Sequence, residues 1–524
     1  MLFAGLDSST QGCKLIVLDL DAQKVMHLDA VHYDTDLDYD TCNGVIQGLE
    51  AGASESDPRM WIEAIELLFG RMQDAGVPVA EIRAISVSGQ QHGLVTLDAE
   101  GRLSRPHSKL WNDFSTEEEC RLLTEAVGGP EVMIAEVGNS QRTGYTAAKI
   151  FHLVRHEPEL WRRTATCFLV HNYVNWWLTG GQEGGIRVME PGDLSGMALW
   201  HPGTSRWSDR VLGAIAPDLA AKLPPVRPSD QSIGTIGRAL AERFGFHPEC
   251  RIDAGCGDNM YGAVGTGNVA PGLVTISLGT SGTAYTVLEE PFIDPSGEIA
   301  AFRDSTGRHF PLLCVSNLAN GYNAIIAEHG LSHARFNELM AKTPAGNEGR
   351  ILIPWYMGER TPDVPLAAPL YFGFGLADFT VEKLGRAVLE GHILNLYDGY
   401  RKMPIEAREI RLTGGLSQSP AWCQAIADIF ETEVVPVEGE GAAMGAALHA
   451  AWVYEKENGR KVALADLVQP FIQLREAMRK KPDPAHLDLY RPMKQAFFAL
   501  SARVRGMAGS EDPFIWRQRM QIQS

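Results

Sequence analysis

The sequence predicts an α/β protein of at least two domains, because the chain is long and one strand pattern occurs in it twice. At 524 residues the chain is too long for a single hydrophobic core. An apolar strand, a turn rich in Ser, Thr and Gly, and a second apolar strand occur at 2–20 and again at 274–287. Since the two copies lie about half a chain apart, they indicate a duplicated domain.

Bulk composition excludes several classes of protein. Hydrophobic residues make up 45% of the chain and charged residues 21%, as in an ordinary globular protein. A net charge of −18 argues against nucleic acid and anionic membranes as partners. The eight cysteines form no CxxC pair, so we expect neither a disulfide framework nor a zinc site. The N-terminus lacks a basic region and no run of 18 apolar residues occurs, so we expect a cytoplasmic protein.

Each copy of the repeated pattern contains a polar turn. The first turn runs from Ser8 to Gly12, and the second is Gly279-Thr280-Ser281-Gly282-Thr283. Glycine lets backbone N–H groups approach an anion closely, and the hydroxyl groups add donors. The turns therefore predict phosphate cradles, although an ordinary β-hairpin would also explain each pattern.

Further strands and helices follow at matching places. A strand at 82–87 leads to Gly89, and a strand at 410–413 leads to Gly414-Gly415. Apolar residues at helical spacing predict a helix that opens near Pro58 and another over 381–400. A glycine turn that opens a helix, as at Gly414-Gly415, suits the ribose and phosphates of a nucleotide.

Two polar turns are candidates for substrate binding. Asp258 and Asn259 place a carboxylate and a carboxamide on a turn flanked by glycines. Gln91 and His92 follow a buried strand, where ligands often bind in α/β folds, and both can bond to a sugar hydroxyl. The alternatives are that Asp258 caps a helix beginning near Met260 and that His92 caps a helix or lies satisfied in the core.

Together these motifs resemble the FGGY carbohydrate kinases. Residues 143–150 and 410–430 are similar to the two signatures of that family, and the resemblance runs from about 2 to 452. It implies the actin/hexokinase-like ATPase fold, in which two ribonuclease-H-like domains flank a central cleft. On this resemblance the sugar-binding domain is 1–255 and the nucleotide-binding domain is 256–524.

The resemblance also implies an activity and its partners. It implies ATP-dependent phosphorylation of a small sugar, with Mg²⁺ as cofactor. Gly257-Asp258-Asn259 favours D-xylulose, while ribulose, glycerol and gluconate stay open as substrates. An actin-like ATPase without a sugar site is a second alternative. We expect a sugar and ATP as ligands, no nucleic acid or membrane, and allow for a homodimer.

The resemblance assigns roles to individual residues. Asp258 is the expected catalytic base, and Asp7 is the expected metal ligand and second catalytic residue. Lys14 either neutralises the transferring phosphoryl group or is a solvated strand residue. The expected sugar contacts are Gln91, His92, Asp258 and Asn259, and the expected nucleotide contacts are Ser9, Thr10, Gln11, Lys14, Gly279, Thr280, Gly414, Gly415 and Ser419.

One stretch departs from the family pattern. The family has Leu-Trp-Asn-Asp followed within two residues by an arginine, whereas Phe114 and Ser115 stand here. This departure leaves the sugar open. We expect Trp111 to fill the core, with packing against a sugar as the alternative. The polar loop Asp193–Gly196 often lies beside the cleft in the family, and we assign it no role.

Overall fold

The computed structural model describes residues 1–439 and 441–523. Glu440 and Ser524, which fall within the predicted second domain, lie outside the described residues. The chain forms two compact units, each built from three stretches. The first unit comprises 1–269, 288–310 and 439–472, and the second comprises 270–287, 311–438 and 473–524. This division rests on compactness alone, so the predicted limits of the sugar-binding and nucleotide-binding domains stay a prediction.

The first unit contains a mixed sheet built around the N-terminal hairpin. Its strands are β1 (Leu2–Ser8), β2 (Gly12–Asp19), β3 (Lys24–His32), β4 (Ile82–Gly89), β5 (Ser232–Thr235), β6 (Arg251–Asp253) and β7 (Cys256–Gly257). Their order is β5-β6-β4-β1-β2-β3, and β7 pairs with β4. Strand β1 is antiparallel to β2 and parallel to β4.

The second unit repeats this arrangement. Its strands are β8 (Leu273–Leu278), β9 (Gly282–Thr286), β10 (His309–Val315), β11 (Glu409–Thr413), β12 (Val434–Glu438) and β13 (Gln473–Leu474). Strand β8 is antiparallel to its hairpin partner β9 and parallel to β11, just as β1 lies between β2 and β4. The α/β class and the duplication predicted from the two hairpins are confirmed.

The predicted helices occur where the sequence places them. Among the described residues, the helices of at least eight residues are α1 (Pro58–Asp74), α2 (Glu117–Val127), α3 (Pro130–Val137), α4 (Thr146–His156), α5 (Val170–Leu178), α6 (Asp258–Gly265), α7 (Ala319–Glu328), α8 (His333–Lys342), α9 (Val381–Tyr400), α10 (Pro420–Phe430), α11 (Gly441–Glu457), α12 (Pro484–Val504) and α13 (Pro513–Gln523). Helix α1 begins after Asp57, whose carboxylate accepts from the Arg59 backbone N–H. Within the described ranges we find no helix that combines the length and apolar character needed to cross a membrane.

Shorter elements complete both units. The shorter helices are Tyr33–Asp36, Pro158–Arg163, Pro191–Leu194, Asp209–Ile215, Arg238–Phe244 and Leu464–Val468. Single turns of 3₁₀ helix are Val79–Glu81, Gly181–Glu183, Ser195–Met197, Leu219–Lys222, Ala345–Gly349, Gly415–Gln418, Gln469–Phe471 and Glu476–Met478. The shorter strands are Thr41–Cys42, Val45–Ile46, Glu55–Ser56, Val95–Leu97, Ser108–Lys109, Thr166–Phe168, Trp200–His201, Arg206–Trp207, Ala300–Arg303, Ile351–Ile353 and Leu370–Phe372.

Helix α11 packs directly on backbone in the first unit. A Cβ atom on Gly5 in β1 would lie 2.1 Å from the carbonyl oxygen of Ala443, and one on Gly445 would lie 1.9 Å from that of Tyr261. Real Cβ atoms do not approach backbone so closely. The small residues of α11 therefore let it lie against β1 and α6, which carry Asp7 and Asp258.

We predict that Gly5→Ala lowers the free energy of unfolding by about 3 kcal/mol or more, because overpacking against backbone cannot be relieved by a rotamer change. Chemical denaturation measures this. Gly70→Ala is the matched control, since nothing lies within 4 Å of a Cβ at Gly70 in α1. It should raise stability by about 0.5–1 kcal/mol through helix propensity. Equal effects of both variants would contradict the packing of α11 on β1.

Candidate active site

Three strands of the first unit end side by side. In the parallel register of β1, β4 and β7, Asp7 lies beside Ser88, Cys256 beside Ser88, and Gly257 beside Gly89. The carboxyl ends of parallel strands meet at one edge of a sheet, where α/β proteins commonly bind ligands. The predicted first-unit site residues are thereby carried to one edge by three separate parts of the chain.

The turn after β1 is held to the end of β4 by side chains. The Ser9 hydroxyl donates to the Gly12 carbonyl at 2.9 Å and so closes the turn. The Thr10 hydroxyl donates to Gln90 Oε1 at 3.1 Å, and Gln90 Nε2 donates to the Ser9 carbonyl at 3.3 Å. Gln11 is exposed at the tip of the turn. The turn after β1, which is predicted to hold phosphate, is therefore bonded through Gln90 to the turn that contains Gln91 and His92.

Asp7 is a half-buried carboxylate at this edge. Ser88 donates its hydroxyl hydrogen to Asp7 Oδ1 at 2.7 Å. Lys14 lies opposite Asp7 on β2. Burial raises the pKa of Asp7, while the Ser88 hydrogen bond and the Lys14 charge oppose this rise. Lys14 therefore provides the carboxylate with a nearby positive charge.

Asp258 is the first residue of α6, and it does not cap that helix. The N-cap residue is Gly257, which has no side chain that could cap the helix. The alternative that Asp258 serves as a cap is wrong, because it lies one position too far along the chain. The helix dipole nevertheless favours a carboxylate in this first turn.

Asn259 connects Asp258 with Gln91. Its Nδ2 donates to Gln91 Oε1 at 2.7 Å and to Asp258 Oδ1 at 2.9 Å. Both amide hydrogens of Asn259 are therefore engaged, and its Oδ1 carbonyl is what it can present to a ligand. Gln91 Nε2 approaches the Met260 sulfur at 3.5 Å.

Electrostatics make Asp258 a candidate proton acceptor. Burial, together with the nearby charges of Asp7 and Asp193, raises the pKa of Asp258 to about 7. The bond from Asn259 acts in the opposite direction. A carboxyl group with this pKa both gives up and takes up a proton near neutral pH, as a general base must.

His92 is held from behind by Asp193, a residue to which sequence reasoning assigned no role. The His92 backbone takes a left-handed conformation (φ 64°). Its backbone N–H donates to Asp193 Oδ1 at 3.3 Å, and its ring Nδ1 lies 3.3 Å from the same oxygen. The two residues are 101 positions apart, so the available signal was only the polar 193–196 loop. Ser88, the partner of Asp7, was also missed.

Trp111 is not a core residue, contrary to expectation. Its side chain is 38% exposed, and Nε1 donates to the Thr10 hydroxyl at 2.9 Å. The next residues instead form a buried polar cluster, in which Asp113 accepts from the Ser54 backbone at 2.9 Å and from Lys109 at 3.4 Å. Trp111 therefore lies on the predicted phosphate turn with one face accessible to a ligand.

The predicted nucleotide residues of the second unit also converge. Strands β8 and β11 pair with Ser277 beside Thr413, so the turns that follow them are neighbours. Gly414 has a left-handed φ of 83°, and a Cβ there would lie 2.6 Å from the Leu278 carbonyl oxygen. This glycine is therefore required where the two turns meet.

The turn at Gly279 and Thr280 and the start of α10 are each held by hydrogen bonds. The backbone N–H groups of Leu318 and Ala319 donate to the carbonyls of Thr280 and Gly279, each at 3.1 Å. The Ser419 hydroxyl caps α10 by accepting from Trp422 N–H, and donates to Asn337 Oδ1 at 2.5 Å. The Ser419 side chain is therefore engaged within the protein, next to the glycine turn of Gly415.

Comparison with known proteins identifies the family. The model of the N-terminal domain of the FGGY family of carbohydrate kinases matches residues 2–265, and that of the C-terminal domain matches residues 274–454. The chain belongs to the FGGY family of carbohydrate kinases. This confirms the resemblance drawn from the motifs, and ATP is the phosphate donor that FGGY kinases use.

Relatives and solved structures agree with this membership. The chain is 33% identical to a xylulose kinase of Haemophilus influenzae, over 93% of this chain and 97% of that one. It is 26% identical to the crystal structure of xylulose kinase from Bifidobacterium adolescentis, with a TM-score of 0.78 over 94% and 99% of the two chains. A gluconate kinase structure from Lactobacillus acidophilus, 21% identical with a TM-score of 0.85 over 97% and 99%, shares the fold.

We predict that Asp258→Asn stabilises the unliganded FGGY kinase, and more so at pH 8 than at pH 5.5. The folded-state pKa of Asp258, about 7, exceeds the ordinary value of 3.8, so the folded protein binds this proton more tightly. That contribution to stability is complete below about pH 4, declines as pH rises and is lost above about pH 7. Asparagine carries no charge at any pH, so the gain should reach a few kcal/mol, at about 1.4 kcal/mol per pKa unit.

Thermal unfolding at the two pH values measures this gain. Asp98→Asn is the control of opposite sign. Burial alone would raise the pKa of Asp98, but the hydrogen bonds from Arg102 lower it. Loss of that carboxylate should therefore destabilise the protein at pH 8. A gain for Asp258→Asn that does not change with pH would contradict the raised pKa.

Proposed function

We propose that this kinase transfers the γ-phosphate of ATP to the terminal hydroxyl of D-xylulose and yields D-xylulose 5-phosphate. The observation that carries the proposal is Asp258, a half-buried carboxylate whose pKa of about 7 is raised by burial and by the charge of Asp7, and which Asn259 connects to Gln91. Relatives named xylulose kinase that cover nearly the whole chain support this choice of sugar.

Asp258 acts as the general base in this proposal. A sugar hydroxyl is a weak nucleophile at neutral pH, and its proton leaves as the bond to phosphorus forms. The unprotonated carboxylate of Asp258 accepts that proton. Because Asn259 donates to Asp258 Oδ1, the carboxylate is oriented before the sugar binds, which reduces the entropic cost of reaching the reactive geometry.

Asn259, Gln91 and His92 hold the sugar. Asn259 contributes its carbonyl oxygen as an acceptor, since both of its amide hydrogens are used within the protein. Gln91 keeps Asn259 in this orientation and contributes its own amide group. His92 presents its imidazole from the turn that follows β4. The indole of Trp111 contributes an apolar face at the border of this group.

Asp7 and the turn after β1 serve the phosphoryl group. Ser9, Thr10 and Gln11 contribute backbone and side-chain donors, and Lys14 contributes positive charge. Asp7 fits a role as a Mg²⁺ ligand, because its charge raises the pKa of Asp258 and a cation beside it would offset that repulsion. One carboxylate suffices, since Mg²⁺ in kinases keeps several waters. When bound, Mg²⁺ would neutralise charge on the phosphate oxygens.

Nucleotide binding falls to the second unit. Gly279 and Thr280 offer a turn for phosphates, and Gly414 and Gly415 open the stretch before α10. The N-terminus of a helix attracts anions, and glycines admit them to the backbone. Since the Ser419 hydroxyl caps α10, it contributes by fixing the start of that helix.

A coupled assay over D-xylulose, D-ribulose, glycerol and D-gluconate, with ATP and Mg²⁺, tests the choice of substrate. We expect the highest kcat/KM for D-xylulose. The gluconate kinase shares only the fold at 21% identity, so it does not favour gluconate here. A higher kcat/KM for any other member of the panel would overturn the assignment of the sugar, and ATP hydrolysis unaffected by all four would overturn the proposal.

We predict that Asp258→Asn lowers kcat for sugar phosphorylation by about 10²–10⁴-fold, because the amide keeps the shape of the side chain and cannot accept the proton. KM for ATP should change little. Steady-state kinetics with purified protein measures both quantities. Asp98→Asn, which alters a buried carboxylate paired with Arg102, serves as the control and should keep kcat within about twofold. Near-parental turnover by Asp258→Asn would contradict the role of base.

A further inference from the structure

A buried chain of charged groups lies behind His92. Asp193 is fully buried, and its Oδ2 lies 3.7 Å from Nδ1 of His171. His171 is also fully buried, and its Nε2 lies 3.4 Å from Glu190 Oε1. The order of groups is therefore His92, Asp193, His171 and Glu190. None of the last three belongs to the predicted sugar contacts.

The groups of this chain shift one another's pKa values. Burial alone would raise the pKa of Asp193, but the neighbouring side chains of His171 and His92 lower it to about 2. Burial alone would lower the pKa of His171, but Asp193 and Glu190 raise it to about 9. Asp193 is thus a carboxylate flanked by two imidazoles near neutral pH.

The ring of His92 is also confined by packing. A Cβ on Gly196 would lie 2.0 Å from Cε1 and 2.5 Å from Nδ1 of His92, so the ring rests against the glycine. The rings of Tyr145 and Phe302 lie at centroid distances of 4.9 and 5.6 Å. Asp193 therefore meets an imidazole whose position is restricted on several sides.

We infer that Asp193 is a positioning residue that sets the tautomer of His92, so that Nδ1–H points to Asp193 and Nε2 accepts a hydrogen bond from a sugar hydroxyl. The 3.3 Å between Nδ1 and the Asp193 carboxylate is an ion-pair distance, and the ring is not aligned for a regular hydrogen bond in the unliganded protein. The group that fixes one ring nitrogen determines what the other can do. The inference rests on the proposed function, since it names what His92 offers the sugar.

This arrangement has a consequence for specificity. An acceptor nitrogen binds a hydroxyl hydrogen, whereas a carbonyl or ether oxygen would place two acceptors against each other. A site built to bond a hydroxyl discriminates strongly against an analogue that lacks it, because its own polar group is then left unpaired. Asp193 thereby acts on the choice of sugar without touching it.

Steady-state kinetics of Asp193→Asn, His92→Ala and the double variant tests this inference. Asparagine can present its amide to Nδ1 and reverse the tautomer, so Asp193→Asn should raise KM for the sugar by about tenfold and leave KM for ATP nearly unchanged. If Asp193 acts through His92, the double variant should be no worse than His92→Ala alone. Additive losses would overturn the inference and leave the proposed function standing.

Ser229→Ala is the matched control within the same network. The Ser229 hydroxyl donates to Glu190 Oε2 at 2.6 Å and touches neither Asp193 nor His92. Its loss should lower Tm while KM for the sugar stays within about twofold. A comparable rise in KM for Ser229→Ala would show that any damage to the network suffices, and would overturn the specific role of Asp193.

Two further measurements cover other outcomes. If Asp193→Asn does not fold, Gly196→Ala should displace the His92 ring and raise KM for the sugar. Combined with His92→Ala it should raise KM no further than His92→Ala alone, and additive increases would overturn the inference.

Histidine-selective ¹⁵N NMR, with the His92 signal assigned by its loss in His92→Ala, reads the tautomer directly. Protonated Nε2 with bare Nδ1 would overturn the inference, even if no sugar in the panel is phosphorylated and the proposed function itself fails.

Discussion

The parallel pairing of β4 with β1 and β7 is the constraint on which the candidate site depends. It places Asp7 beside Ser88 and Gly257 beside Gly89, so carboxylates from distant parts of the chain reach one sheet edge. Helix α11 supports this pairing, because its backbone lies against Gly5 in β1 and against α6. A side chain at Gly5 would move the strand that carries Asp7 relative to the helix that carries Asp258. Buried glycines thus control the spacing between the elements that carry Asp7 and Asp258.

Placing the carboxylates of Asp7, Asp193 and Asp258 near one another costs electrostatic free energy. The charges of Asp7 and Asp193 both act on Asp258, whereas Lys14 lies near Asp7 and His171 lies near Asp193. Burying an uncompensated carboxylate is unfavourable, and the protein absorbs the cost as a raised pKa at Asp258. In the proposed mechanism the same raised pKa suits this group to act as a base near neutral pH. Stability and activity are therefore opposed at one residue, as is common where a site is built from buried charge.

Local patterns predicted much of the fold and part of the site. The two hairpins, the helix after Asp57 and the helix Val381–Tyr400 follow from periodicity and turn residues. Contacts across large separations could not be predicted in this way. The bond between Asp193 and His92 spans 101 positions, and that between Ser88 and Asp7 spans 81.

Two expectations failed because each depended on tertiary packing. The amphipathic indole of Trp111 gave no sign that it would lie exposed on the Thr10 turn. Helix α6 begins at Asp258, two residues before the expected start near Met260, which makes Gly257 the cap residue. Helix boundaries are the least certain feature of a sequence pattern, and here the position of the boundary decides whether Asp258 or Gly257 is the cap residue.

The hydrogen-bonding groups at this sheet edge share one character, which bears on the kind of substrate that fits. Asp258 presents carboxylate oxygens, Asn259 presents a carbonyl because its amide hydrogens are engaged, and His92 would present Nε2 in the tautomer inferred above. Three acceptors in one place call for three donated hydrogens, which neighbouring hydroxyls of a neutral sugar supply and a carboxylate cannot. The carbonyl of a ketose must then lie away from these three groups, so they select the hydroxyl-bearing end of the sugar, where the phosphate is added.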